Sequence, residues 1–199
     1  MLINAKSGGF LQATENPLSI FTQELDTAER DDAVKAVVLR VNSPGGTVTT
    51  SDAMYELVMR FRQRTKKPVV ASCQEVCASG AYYVSCAADK IVAQPGTLTG
   101  SIGVVMIKFV IDGTLKKVGV NMESVSQGKY AEIYSPIRQF SPEERARVQQ
   151  LMQATYDTFV EKAASGRNTT PEKIDQIAQG RVWTGKQAKQ LGLVDELGG

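Results

Sequence analysis

The chain has 199 residues, 42% of them hydrophobic and 22% charged, with a formal net charge of +2 and no histidine. That length accommodates one domain with a sizeable core, and the composition is that of an ordinary globular protein rather than a disordered one. The near balance of charge gives no field for nucleic acid, and the missing histidine excludes histidine-based triads within the chain and most catalytic zinc sites.

The first residues lack the basic-then-apolar grammar of a signal peptide, and the abrupt opening Met1-Leu2-Ile3 would also fit a chain cut from something longer. No apolar run approaches the roughly 18 to 20 residues of a membrane-spanning helix, so the chain as it stands is expected to be soluble. Residues 34–41, VKAVVLRV, are β-branched and nearly continuously apolar, which predicts a strand covered on both faces. They run into the turn NSPGG. Beyond it Ala53, Met54, Leu57, Val58 and Phe61 recur at helical spacing, predicting an amphipathic helix that ends in the basic run before Pro68.

PVVAS, from Pro68, reads as a short buried strand, and ASGAYYVSCAAD as a helix entering a core. KIVAQ is a third strand. VNMESVS, residues 120–126, is read as a fourth, and the Tyr-Ile-Tyr alternation of GKYAEIYSPIR as the end of a strand. Alternation of strand and helix predicts an α/β layer structure with mostly parallel pairing. Ser141-Pro142-Glu143-Glu144 is a capping box opening a long helix that Gly166 ends. Thr170-Pro171 opens another that stops near Gly180, and Thr184 with Gln187 caps a third.

Cys73, Cys77 and Cys86 are odd in number and have neither the spacing of a zinc site nor that of a redox pair. They read as small buried core residues. Ser79, between Ala78 and Gly80, follows a strand and opens a helix, where free backbone N–H groups favour negative charge. It fits a nucleophile or an ordinary cap. In NSPGG, Pro44 fixes one backbone angle while the glycines leave an N–H uncovered for an oxyanion, although a plain turn would look the same. Ser101 lies between two glycines in TLTGSIG.

Together NSPGG, ASGAYY, AADKIVAQPGTLTGSIGV and GRVWTGKQAKQLGLVDELG resemble the signal peptide peptidase A (protease IV) family of the Clp-protease/crotonase superfamily, over roughly residues 34–198. The resemblance implies a Clp-protease/crotonase-like α/β fold of repeated ββα units with a helical C-terminal part. Residues 1–199 would form a single peptidase catalytic domain whose N-terminal anchor region is absent. It implies a serine endopeptidase with Ser79 as nucleophile, the Gly46 and Gly80 N–H groups as oxyanion hole, and a lysine general base hydrogen-bonded by Ser101. No cofactor or metal is implied. The substrates would be peptides, signal-peptide remnants among them, bound extended along an edge near Thr47 and Val48. A homo-oligomer is implied, together with a bacterial cytoplasmic-membrane location, an extracytoplasmic catalytic domain and a membrane segment upstream of this chain.

A base lysine must be neutral, whereas an ordinary one has a pKa of about 10.4. Burial lowers it by up to ~3–5 units, so placement decides function. In family members that carry the dyad in one chain, the lysine precedes an acidic residue and an Ile-x-Ser-Pro element. Glu132-Ile133-Tyr134-Ser135-Pro136 matches that element and puts the lysine at position 131, which is alanine. Lys129 would lie about 6.6 Å away along a strand, comparable to the reach of its side chain. It reads mainly as a solvated residue. An engineered replacement, a natural loss that leaves a peptide-binding pseudo-peptidase or assembly protein, and an amine from another subunit or chain half all stay open. A crotonase-type acyl-CoA enzyme is a further alternative, disfavoured because that chemistry needs no nucleophilic serine.

Overall fold

A helix opens the described part of the chain, which the computed structural model gives as residues 16–199. Met1-Leu2-Ile3 therefore lies outside the described residues. Two compact units follow, one made of the described residues up to Gly103 with Tyr156–Gly199, the other of Val104–Thr155.

In the first unit, α1 (Pro17–Arg30) begins where the Asn16 side chain accepts from the Leu18 N–H at 3.0 Å and proline takes the first helical position. Then come β1 (Val37–Ser43), α2 (Val48–Thr65), β2 (Val69–Ala78), α3 (Gly80–Ser85), β3 (Lys90–Ala93) and β4 (Leu98–Gly100). The expected helix after NSPGG and the strands at PVVAS and KIVAQ are thus present, although β2 runs on to Ala78. The sheet orders β5-β4-β2-β3-β6, with β1 also on β2, where β5 is Val182–Thr184 and β6 is Glu196–Leu197. All pairs are parallel except β4 with β5.

β2 changes partners along its length. Its register on β1 passes from Val41 opposite Cys73 to Ser43 opposite Cys77, so β2 carries a bulge over Gln74–Val76. The bulge is satisfied locally: Asn42 Oδ1 accepts from the Val76 N–H at 3.1 Å, and Thr97 Oγ1 donates to the Gln74 carbonyl at 2.5 Å. From its last residue onward, Val76–Ala78 pair with β4, which delivers Ser79 to the end of the sheet. β1 is not covered on both faces as its sequence predicts, since Val38 is 66% exposed.

The core contains Val58, Val69, Tyr82, Ile91 and Leu193, all fully buried. Burial of each aliphatic member contributes roughly 1.5–3 kcal/mol. The Tyr82 hydroxyl donates to the Leu193 carbonyl at 2.8 Å, so the ring is buried without an orphaned polar group. The C-terminal helices appear where expected: α5 (Pro142–Gly166), α6 (Pro171–Ile177), and α7 (Gly185–Gln190) behind the Thr184–Gln187 capping box. Cys73, Cys77 and Cys86 are buried free thiols, as expected.

The second unit holds α4 (Asp112–Lys117) and the start of α5, joined by turns and irregular chain. The Ser141–Glu144 capping box is formed in both directions, at 2.9 and 3.2 Å. The expected fourth strand at 120–126 is absent, and residues 128–134 are bend and turns rather than a strand end. An alternating pattern makes a strand only when a neighbour takes up its backbone groups, and none among the described residues pairs with this segment. No helix among the described residues is long and apolar enough to cross a membrane.

Candidate active site

Ser79 stands at the junction of β2 and α3 with φ 52° and ψ −125°, a conformation that an L-residue rarely adopts. It is held there by its own backbone. The N–H donates to the Gly100 carbonyl at 2.9 Å and the carbonyl accepts from the Tyr83 N–H at 2.9 Å. Its side chain makes no capping bond to α3, so the helix-cap alternative does not describe it. The residue is half-buried, and its hydroxyl is left for other work. A serine on a strained strand-to-helix turn is how nucleophiles are presented in hydrolases.

The NSPGG turn packs directly on this junction. Gly45 has φ +124°, and a methyl group on it would lie 2.8 Å from Ser79 Cβ, so glycine is required by both conformation and space. The buried Ser43 shapes the turn, its hydroxyl donating to the Gly45 carbonyl at 3.1 Å and accepting from the Gly45 N–H at 3.2 Å. A methyl on Gly80 would overlap Ser51 Oγ and stand 3.0 Å from the Gly46 nitrogen. Gly46 and Gly80 are therefore close neighbours. Among the described residues no acceptor takes either N–H. Such a pair beside a serine hydroxyl can stabilise an oxyanion.

Ser101 follows β4 as Ser79 follows β2, one residue past the paired Ala78 and Gly100. It too has a left-handed φ, 50°, and its N–H donates to the Arg181 carbonyl at 2.7 Å. Thr47 and Val48 do not form a strand edge. Thr47 caps α2, its Oγ1 accepting from the Thr50 N–H at 3.4 Å, and Val48 is the first helical residue. The first turn of a helix leaves backbone N–H groups without intrahelical partners, in place of the expected strand edge.

Ala131 and Lys129 belong to the second unit. Ala131 is exposed in a turn, its N–H donating to the Gly128 carbonyl at 3.1 Å. Glu132 beside it accepts from Ser124 Oγ at 2.7 Å and from Arg138 Nε at 3.1 Å, and these bonds hold its carboxyl below the usual range. Lys129 Nζ lies 2.8 Å from Glu143 Oε2, and this partner raises its pKa. The amine stays protonated, the opposite of what a general base needs.

Sequence reasoning passed over Ser43 and Ser51, which shape the turn and seat Gly80. Ser43 is inside the NSPGG motif, but its role depends on folding back onto Gly45. Ser51 carries no local signal.

The model of peptidase family S49 matches residues 61–199, and that of Clp protease matches residues 12–97. A chloroplastic serine protease SPPA of Arabidopsis thaliana is 38% identical over 98% of this chain and 30% of its own length. Protease 4 of Salmonella typhi is 40% identical over 96% of the chain and 31% of its length. Protease 4 of Haemophilus influenzae is 39% identical over 87% and 28%. The chain thus spans about three-tenths of the length of these relatives.

Proposed function

Because the chain belongs to peptidase family S49, with the α/β sheet architecture of Clp-like proteases, we propose that it is the serine-bearing catalytic part of a Ser-Lys endopeptidase, standing here without its base. The observation that carries this reading is Ser79, strained, uncapped and packed against two N–H groups that no acceptor among the described residues takes.

Ser79 Oγ adds to the carbonyl carbon of a bound peptide, and the Gly46 and Gly80 N–H groups donate to the oxygen as it becomes an oxyanion. Collapse breaks the C–N bond, the amine leaves with a proton, and water releases the ester. The proton must first pass from Oγ to a neutral amine. Alanine at 131 removes that amine and Lys129 is held charged by Glu143. Lys162 in the first unit is no substitute. Burial works to lower its pKa but is outweighed by bonds to Asp52 and Glu56 at 2.7 Å, so it too stays charged. Ser101 is assigned to orient the lysine where one is present.

The substrates proposed are extended peptides, signal-peptide remnants in particular, at the bacterial cytoplasmic membrane through a segment outside this chain. A homo-oligomer is proposed on the exposed Val105, Ile107 and Phe109, alternate apolar residues in an irregular stretch. A peptide-binding protein without turnover is the second reading, favoured by the alanine itself.

The Ala131→Lys variant decides between them. A restored base should raise peptide cleavage by about 10²–10⁴-fold over the unaltered chain. No gain, with peptide still bound, supports the pseudo-peptidase. Cleavage by the unaltered chain that Lys129→Ala abolishes would show that the base was wrongly placed.

A further inference from the structure

The two candidate oxyanion donors sit at the starts of different helices. Gly46 precedes α2, while Gly80 is the first residue of α3. Their separation therefore depends on how those helices are tied at this end. Ser51 in α2 lies against Gly80 and donates to the Thr47 carbonyl at 2.9 Å. Asp52, the next residue, accepts from the Tyr83 hydroxyl at 2.6 Å, and Tyr83 stands one turn after Gly80, its N–H on the Ser79 carbonyl. Among the described residues this is the side-chain hydrogen bond joining α2 to α3 near the serine.

The tie is itself anchored. Lys162 Nζ in α5 donates to Asp52 Oδ1 and Glu56 Oε1, each at 2.7 Å, and sits 4.2 Å over the Tyr55 ring. The Tyr83 ring packs edge-on to Tyr55 at 5.5 Å and against Phe159 at 4.9 Å. Lys162, followed by Tyr83, holds the Asp52 carboxyl below its usual range, while burial and then Asp52 hold the Tyr83 proton in place. Donor and acceptor thus keep fixed roles across the neutral range.

We infer that Lys162, Asp52 and Tyr83 form a positioning relay that sets the Gly46–Gly80 N–H pair, and hence the affinity of the site for a tetrahedral oxyanion rather than for the peptide itself. The inference rests on the peptidase reading above. None of the three side chains is asked to touch substrate; they act through the backbone of the two glycines. Displacements of about 1 Å in a catalytic constellation cost on the order of 10²-fold, so a slack tie is felt in the oxyanion first.

The test compares an acetyl-tripeptidyl boronic acid bearing small side chains, which forms a tetrahedral adduct with a serine, against the matching peptide carboxamide, which only binds. Tyr83→Phe keeps the packing and removes the hydroxyl; Lys162→Met removes the anchor and Lys162→Arg restores the charge. Tyr83→Phe and Lys162→Met should weaken the boronate about 10-fold or more, short of the ~10²–10³ for losing a donor outright. Carboxamide affinity should stay within about 2-fold, the split that separates transition-state from uniform binding. Lys162→Arg should recover part of the boronate affinity. Unchanged boronate affinity in both variants, or equal weakening of both ligands with a lowered unfolding midpoint, overturns the relay. If the unaltered chain and Ala131→Lys both show no tetrahedral boron resonance dependent on Ser79, the peptidase reading itself falls, and the relay with it.

Discussion

Replacing Ser79 by alanine and, separately, by glycine distinguishes its hydroxyl from its backbone. The hydroxyl makes no capping bond, so Ser79→Ala should leave stability within about 0.5 kcal/mol. The backbone is different. At φ 52° and ψ −125° a residue with a Cβ stores of order 1–3 kcal/mol, which alanine retains and glycine releases. Glycine loosens the unfolded chain by about 0.4–1 kcal/mol in return. At the middle of these ranges Ser79→Gly should therefore exceed Ser79→Ala by about 1.3 kcal/mol, or about 3–5 °C in Tm for a chain of this size. Urea and thermal unfolding of the two variants, followed by circular dichroism, measure the difference. A glycine variant no more stable than the alanine variant would refute the claim that the fold holds this serine under strain.

Gly80→Ala should destabilise by about 1–3 kcal/mol, because its methyl overlaps Ser51 Oγ. Adding Ser51→Ala should recover part of the loss, a coupling that a double-mutant urea series reads. In the second unit, Arg138 donates to both oxygens of Glu144 at 2.6 and 2.7 Å and holds its carboxyl down to about 2 from an ordinary 4.5. A depressed folded value stabilises above the ordinary pKa and is lost as pH falls from about 4.5 towards 2. A carboxyl NMR titration should find Glu144 near 2 in the unaltered chain and back towards 4.5 in Arg138→Met. Cys73, Cys77 and Cys86 are buried, and burial, as the main cause, pushes the Cys86 thiol up to about 12. An aromatic disulfide reagent should label none of the three until the chain unfolds, and prompt labelling of any would contradict their burial.

What could be read from the sequence follows how local each cause is. The capping boxes at Ser141–Glu144 and Thr184–Gln187 formed because a few adjacent residues satisfy one another. NSPGG and ASGAYY were legible as a turn and a helix start because glycine and small residues are needed at those places. Helix α1 has an equally local start signal, Asn16-Pro17, which the sequence reading omits. The full length of β2 was not legible, since its bulge exists only through Asn42 and Thr97. VNMESVS alternates as a strand does, yet pairing depends on a neighbour that the pattern cannot supply. Asp52 and Lys162 are separated by 110 residues, and only the folded chain joins them beside the serine.

Whether Ser79 is a nucleophile can be read by fluorophosphonate labelling, with the modified residue located by peptide mass mapping in the Ala131→Lys variant and the unaltered chain. One adduct per chain is expected, on Ser79, formed faster when lysine occupies 131 and absent after Ser79→Ala. An adduct on Ser101 or elsewhere, or no adduct in either protein, would contradict it.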